Sequence, residues 1–137
     1  MLKKTIFTAI SISLLATSLS FARPQPDACP TVEKIKEFGL GRGVTDPLTN
    51  DWVFISSKNS YGTNTEWSFG LMDVKAANVE EARKVAAYNM DSLVFGGGPY
   101  QDNATDEWHC LYYTSQGNRG VTLTGLDDSL TRLKKIK

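Results

Sequence analysis

The chain has 137 residues and a formal net charge of zero, with 15 basic and 15 acidic side chains. Without a basic excess, it lacks the charge pattern of a protein that binds nucleic acid or an anionic membrane surface. The single histidine excludes a metal site built on a histidine cluster, and no residue pattern indicates a cofactor.

The first segment, residues 1–22, has the composition of a signal peptide. Two lysines precede an apolar stretch over residues 6–19, and Ser20 and Ala22 are the small residues that a signal peptidase needs. A membrane anchor is the alternative, but the apolar stretch is short, contains hydroxyl side chains and has no basic flank after it. We therefore expect cleavage before Arg23, export to the periplasm or the cell exterior, and no membrane span in the mature chain.

The mature chain is predicted to consist of an arm and one domain. Residues 23–28 contain two prolines and no apolar periodicity, which predicts a mobile arm. Residues 29–137 have the length of a single α+β domain with a modest core.

The two cysteines, Cys29 and Cys110, are predicted to form a disulfide, because an even pair in an exported protein is usually oxidised. Closing a loop of about 80 residues restricts the unfolded chain by up to about 4 to 5 kcal/mol in the entropy model. The alternative is a reactive thiol, since His109 precedes Cys110 and a Cys/His pair makes some nucleophiles. Adjacent residues on a strand point to opposite faces, which favours the disulfide.

In the first half, a short helix is predicted to begin near Pro30 and to end at Gly39. Its apolar residues at three-residue spacing are Val32, Ile35 and Phe38. A turn-rich connection over residues 44–51 follows. Residues 52–57 and 66–72 are rich in aromatic and β-branched side chains, with turn residues between them, and so predict a hairpin.

In the second half, residues 78–93 begin with a capping box and carry one apolar stripe, which predicts a longer helix. A glycine-rich loop over residues 95–106 comes next. Residues 108–114 and 121–124 predict a second hairpin, and the basic segment from Asp127 predicts a last helical turn or two.

This order predicts an α+β fold with an antiparallel sheet of about four strands, in the order α-β-β-α-β-β, and with the helices on one face. The two hairpins begin at Trp52 and Trp108 and end near Gly70 and Gly125, at matching separations. An internal repeat and a coincidence in a β-rich chain both account for that match.

Alternation along the strands sorts their side chains into two faces. The face with Trp67, Cys110 and Val121 is expected to meet the helices. The opposite face, with the glycine-rich loop, forms a candidate binding surface for a protein, a peptide or a small ligand. Its candidate residues are Ser68, His109, Tyr113, Thr122, Thr124, Gly96, Gly97, Gly98 and Tyr100. The alternative is an ordinary solvated face of an antiparallel sheet.

Two features of this surface have a second interpretation. His109 is either a general base working with a carboxylate or an exposed strand residue. The glycine run follows a helix rather than a strand and lacks a following Lys-Ser/Thr, so turn geometry explains it better than phosphate binding. A mobile recognition loop is the remaining alternative.

Three segments carry a resemblance to a known family: residues 107–113 (EWHCLYY), residues 96–100 (GGGPY), and the leader followed by Cys29-Pro30. With them the chain resembles a Legionella-type family of small secreted bacterial proteins of unknown function. The resemblance implies export from an intracellular bacterium and an association with virulence. It transfers no catalytic residue.

We therefore expect a non-enzymatic binding or interaction module that acts in the periplasm or outside the cell, without a catalytic set, a metal or a cofactor. One alternative is a small extracytoplasmic hydrolase that uses His109 with a carboxylate. Another is a homodimeric structural protein that associates through the uncovered sheet face.

Overall fold

The structure is a computed structural model, and it describes residues 24–124. The predicted signal peptide, residues 1–22, and the predicted last helical segment from Asp127 lie outside the described residues. Within residues 24–124, no helix is long and apolar enough to cross a bilayer, and the longer of the two has 12 residues.

The two helices are α1 (Val32–Phe38) and α2 (Val79–Met90), and both begin at a capping side chain. Thr31 caps α1 by accepting a hydrogen bond from the backbone amide three residues later, at 3.2 Å, and Gly39 ends the helix with φ 79°. Asn78 caps α2 in the same way, at 2.9 Å. Both predicted helices are confirmed, and α2 ends three residues earlier than predicted.

Six strands form one antiparallel sheet: β1 (Arg42–Thr45), β2 (Trp52–Ile55), β3 (Trp67–Val74), β4 (Val94–Asp102), β5 (Glu107–Tyr113) and β6 (Arg119–Thr124). Their order across the sheet is β1-β2-β3-β6-β5-β4. The mixture of helix and strand is confirmed. The prediction of a four-stranded sheet in the order α-β-β-α-β-β is wrong, because β1 and β4 were missed.

The two missed strands have a composition that disfavours strands. β1 contains one glycine, and β4 contains three glycines and Pro99; both residue types are depleted in strands. In the sheet, however, both strands lie at an edge, where one row of backbone groups needs no strand partner. The β4 ladder also shifts register twice over residues 95–100, which accommodates the glycine run.

The order of elements repeats along the chain, with one helix and three strands in each half. The last strands of the halves, β3 and β6, pair antiparallel at the centre of the sheet. Trp52 in β2 and Trp108 in β5 therefore stand in corresponding strands.

Both helices pack on one face of the sheet, the inner face. The buried Ala82, Ala86 and Met90 lie four residues apart on one side of α2, and Ile35 of α1 joins the same core. The strand side chains of this core are Phe54, Trp67, Phe69, Leu71, Val74, Cys110 and Tyr112. Burying a large apolar side chain contributes roughly 1.5 to 3 kcal/mol, so this core is the main source of stability.

The opposite, outer face also buries apolar side chains, namely Val53, Met72, Val121 and Leu123. Two of these belong to β6 and were predicted to face the helices, which is wrong. Thr122 lies directly between Phe69 of β3 and Cys110 of β5, and both partners point inward. Directly paired residues share a face, so Thr122 and Thr124 point inward as well. The prediction failed because both faces of this sheet carry apolar residues.

A disulfide joins Cys29, ahead of α1, to Cys110 in β5, with the two Cα atoms 6.0 Å apart. This confirms the predicted pairing. Two residues along β5, the hydroxyl of Tyr112 donates a hydrogen bond to the carbonyl oxygen of Pro30 at 2.5 Å. Burial raises the pKa of the Tyr112 phenol well above its usual range. The segment ahead of α1 is thus held on β5 by a covalent bond and a buried hydrogen bond.

Candidate functional site

Six of the nine predicted binding residues come together along β4 and β5. They are Gly96, Gly97, Gly98, Tyr100, His109 and Tyr113. Tyr100 lies directly opposite His109, and Tyr113 stands four residues further along β5 on the same face. His109 also pairs with Leu123, so this is the outer face. We call the side chains of Tyr100, His109 and Tyr113 the aromatic strip.

The glycines of β4 make room for the rings of the aromatic strip. A Cβ atom at Gly96 would collide with the ring of Tyr113, and one at Gly97 would collide with the hydroxyl of Tyr100. Gly97 also has φ 150°, a conformation that L residues with a side chain rarely adopt. A larger residue at either position would therefore displace a ring of the strip.

This edge of the sheet exposes apolar surface. The exposed fraction is 58% for Val94, 48% for Tyr100 and 44% for Tyr113. Val94 pairs directly with Tyr113 and so shares its face. Contiguous exposed apolar surface is typical of an interaction site, and tyrosine offers a large contact area with little side-chain entropy to lose.

The surroundings of His109 bear on the alternative of a catalytic histidine. Burial lowers the pKa of its imidazole, and the nearby charge of Asp102 opposes that shift without cancelling it. The ring is therefore neutral at neutral pH, and its centroid lies 5.7 Å from that of Tyr100. Within residues 24–124, no hydrogen bond joins His109 to a carboxylate. Among the described residues, His109 therefore does not have the oriented carboxylate that the hydrolase alternative invokes.

An ordered ion pair borders the strip. Arg119 lies opposite Tyr113, and its guanidinium donates hydrogen bonds of 2.7 and 3.0 Å to the two carboxylate oxygens of Asp73. These bonds raise the pKa of Arg119 more than burial lowers it.

Among the described residues, no group of three or more His, Cys, Asp or Glu side chains is placed to hold a metal ion.

The other three predicted binding residues lie away from the strip. Ser68 is on the outer face, but it is buried in β3, opposite Leu123. Thr122 and Thr124 are buried on the inner face, where the Thr124 hydroxyl accepts a hydrogen bond from the amide of Trp108 at 3.0 Å. These hydroxyl groups are not placed to meet a ligand at the β4 edge.

Sequence reasoning missed a groove on the inner side of β4, with a volume of about 490 Å³. Its lining includes Asp27, Cys29, Val32, Phe95 and Pro99. The ring of Phe95 is 51% exposed and meets the ring of Tyr112 edge to face, with the centroids 5.6 Å apart. The only sequence signal was Phe95 directly ahead of the glycine run, and it does not indicate that the segment ahead of α1 lies beside β4. We call this feature the Phe95 groove.

Comparison of the chain with models of protein families, with curated proteins and with solved structures gives no match. The resemblance to the Legionella-type family therefore stays a sequence-based prediction. The case for a function rests on the geometry of β4 and β5.

Proposed function

We propose that this protein is an exported, non-enzymatic binding module whose contact surface is the β4 edge of the sheet. The aromatic strip lies on one side of that edge and the Phe95 groove on the other. The observation that carries the proposal is the concentration of exposed apolar side chains at Val94, Phe95, Tyr100 and Tyr113, on two adjacent strands.

Export is supported by the disulfide and by the predicted signal peptide. Disulfides persist in oxidising compartments and are rare in the cytosol. A site of action in the periplasm or outside the cell fits both features. The resemblance to secreted Legionella-type proteins extends the proposal to an association with virulence.

A binding role also fits the way the surface is built. The rings of Tyr113 and Tyr100 occupy the space that a side chain at Gly96 or Gly97 would need. The disulfide lies directly beside this edge. A Cβ atom placed at Gly98 would be 3.2 Å from the Cys29 sulfur. Tyrosine has few rotatable side-chain bonds, so a surface built on it loses little entropy when a partner binds.

Affinity capture tests the proposal. The full chain, expressed with its leader and recovered oxidised, is immobilised and exposed to periplasmic extract and culture medium of the host. We expect Tyr100→Ser with Tyr113→Ser to lower retention of a specific partner about tenfold or more, because aromatic anchors dominate such contacts. The matched control is Tyr88→Ser, since Tyr88 is 71% exposed on α2. Equal retention by all three proteins contradicts the proposed surface.

A further inference from the structure

We propose that the ligand of this surface is an extended polypeptide segment that adds as a new strand to the open edge of β4. The inference rests on the proposed function and specifies the class of partner. It follows from three properties of β4: its free backbone groups, the different surfaces on its two sides, and the charges at its end.

The backbone of β5 shows which backbone groups of β4 have no strand partner within residues 24–124. The amide of Thr114 donates to the carbonyl oxygen of Asn118 at 3.1 Å, and the amide of Trp108 points to Thr124. The even-numbered residues of β5 therefore face β6, and the odd-numbered residues face β4. Their partners in β4 are Val94, Gly97, Tyr100 and Asp102.

By the same alternation, Phe95 and Gln101 direct their N–H and C=O groups away from β5, toward the open edge. These are the groups that a strand pairing with β4 would use. Between them lie the register shifts and Pro99, which has no N–H to donate. The new strand is thus held at two points, one at each end of the glycine run. This interruption also discourages indiscriminate pairing along the edge.

The two sides of β4 offer different surfaces to the side chains of an added strand. Successive side chains of that strand point alternately to the inner and the outer face. Those on the inner side meet the Phe95 groove, and those on the outer side meet Tyr100 and Tyr113. Main-chain hydrogen bonds with alternating side-chain contacts are the recognition mode of strand addition.

The charged residues at this edge indicate which side-chain charge the added strand should carry. Asp27 is the charged residue that lines the Phe95 groove, and Asp102 ends β4. Both are acidic, so a basic side chain on the added strand is favoured at the Asp102 end. The expected ligand is therefore an extended segment with apolar residues at alternate positions and at least one Lys or Arg.

Hydrogen exchange with a selected peptide tests this inference. Linear dodecapeptides displayed on phage are selected on the oxidised full chain, and an enriched peptide is synthesised. When it binds, we expect amide exchange at Phe95 and Gln101 to slow about tenfold or more, because both amides gain a partner. Amides of β1, at the other edge, serve as the internal control and should not change.

A pair of variants tests the same hydrogen bond from the protein side. Gln101→Pro removes the outward N–H and leaves the ladder to β5 intact, whereas Gln101→Ala keeps the N–H. We expect the proline variant to weaken peptide affinity up to about tenfold relative to the alanine variant, the effect of one lost hydrogen bond.

Each other outcome overturns the addition of a partner peptide as a strand. A peptide that perturbs Tyr100 and Tyr113 without slowing exchange at Phe95 and Gln101 leaves the proposed function in place but removes the strand. A selection without any enriched peptide argues against a polypeptide ligand, while the capture experiment judges the proposed function independently. Slowed exchange without peptide, together with a dimer in sedimentation, identifies a second copy of this chain as the occupant.

Discussion

The two edge strands, β1 and β4, use glycine for opposite purposes. In β1, a Cβ atom at Gly43 would lie 2.8 Å from the ring of Phe54 and 3.0 Å from Val79, so glycine allows α2 to pack closely on the strand. In β4, Gly96 and Gly97 lie next to the exposed rings of Tyr113 and Tyr100. Glycine thus allows close packing of β1 on the core, whereas in β4 it leaves space for side chains that a partner can contact. β4 is also longer, with nine residues against four.

Removing the disulfide is expected to have the largest effect and to act mainly on the β4 side. For Cys29→Ala with Cys110→Ala, we expect the free energy of unfolding to fall by about 3 to 4 kcal/mol, because the unfolded chain regains the freedom of a long loop. Urea denaturation at equilibrium measures the loss.

The two edges of the sheet should respond differently to loss of the disulfide. Cys29 lies next to Gly98 of β4, whereas β1 packs on α2 at the far side of the sheet. Native-state hydrogen exchange should therefore accelerate more in β4 and β5 than in β1 when the disulfide is absent. An equal acceleration at both edges would mean that the disulfide does not distinguish them.

Local signals made several parts of the fold predictable. Capping residues and apolar stripes located both helices, since a cap satisfies helix amides wherever the helix packs. Aromatic and β-branched residues located the four central strands, β2, β3, β5 and β6. The disulfide followed from the count of two cysteines in a chain with a predicted leader.

The errors came from tertiary context. β1 and β4 are strands because the sheet offers them an edge, and their glycine and proline content gave the opposite indication. The face of β6 depends on its register with β3 and β5, so Thr122 was placed on the wrong side. Of the candidate site, the aromatic strip could be predicted, because His109 and Tyr113 lie on the same face of one predicted strand. The Phe95 groove could not, because it forms between β4 and the segment ahead of α1.

Adding a methyl group at β1 is expected to have the next largest effect. Gly43→Ala places a Cβ atom against the buried ring of Phe54, which has little room to move. We expect a loss of about 1 to 3 kcal/mol in the free energy of unfolding, measured by urea denaturation. Thr45→Ala, at an exposed position of the same strand, is the control and should change stability by less than about 0.5 kcal/mol.

The same substitution in β4 should cost less stability but alter the surface. In Gly96→Ala, the new Cβ atom meets the ring of Tyr113, which is half exposed and can turn into solvent. We expect a loss below about 1 kcal/mol, with clear chemical-shift changes at Tyr113 and weaker partner binding. A loss as large as that of Gly43→Ala would contradict the distinction between a packed edge and an open one.

The smallest expected effect concerns the charge of His109 within the aromatic strip. Because burial lowers its pKa, we expect an NMR titration midpoint below the 6.5 of an unperturbed imidazole. Asp102→Asn should lower the midpoint further, since the carboxylate favours the charged ring. A midpoint at or above that reference value would show that the ring is solvated rather than packed against Tyr100.

The lowered pKa of His109 makes the free energy of unfolding depend on pH. The unfolded chain binds a proton at His109 more readily than the folded chain, so stability falls as the pH drops below about 6.5 and levels off below the folded-state pKa. His109→Gln removes this contribution, so urea denaturation of the variant should show a weaker loss between about pH 7.5 and pH 5. β1 contains no histidine or carboxylate side chain. The difference between the two curves therefore reports on His109, next to β4, and identical curves for the two proteins would contradict a partly buried, neutral imidazole.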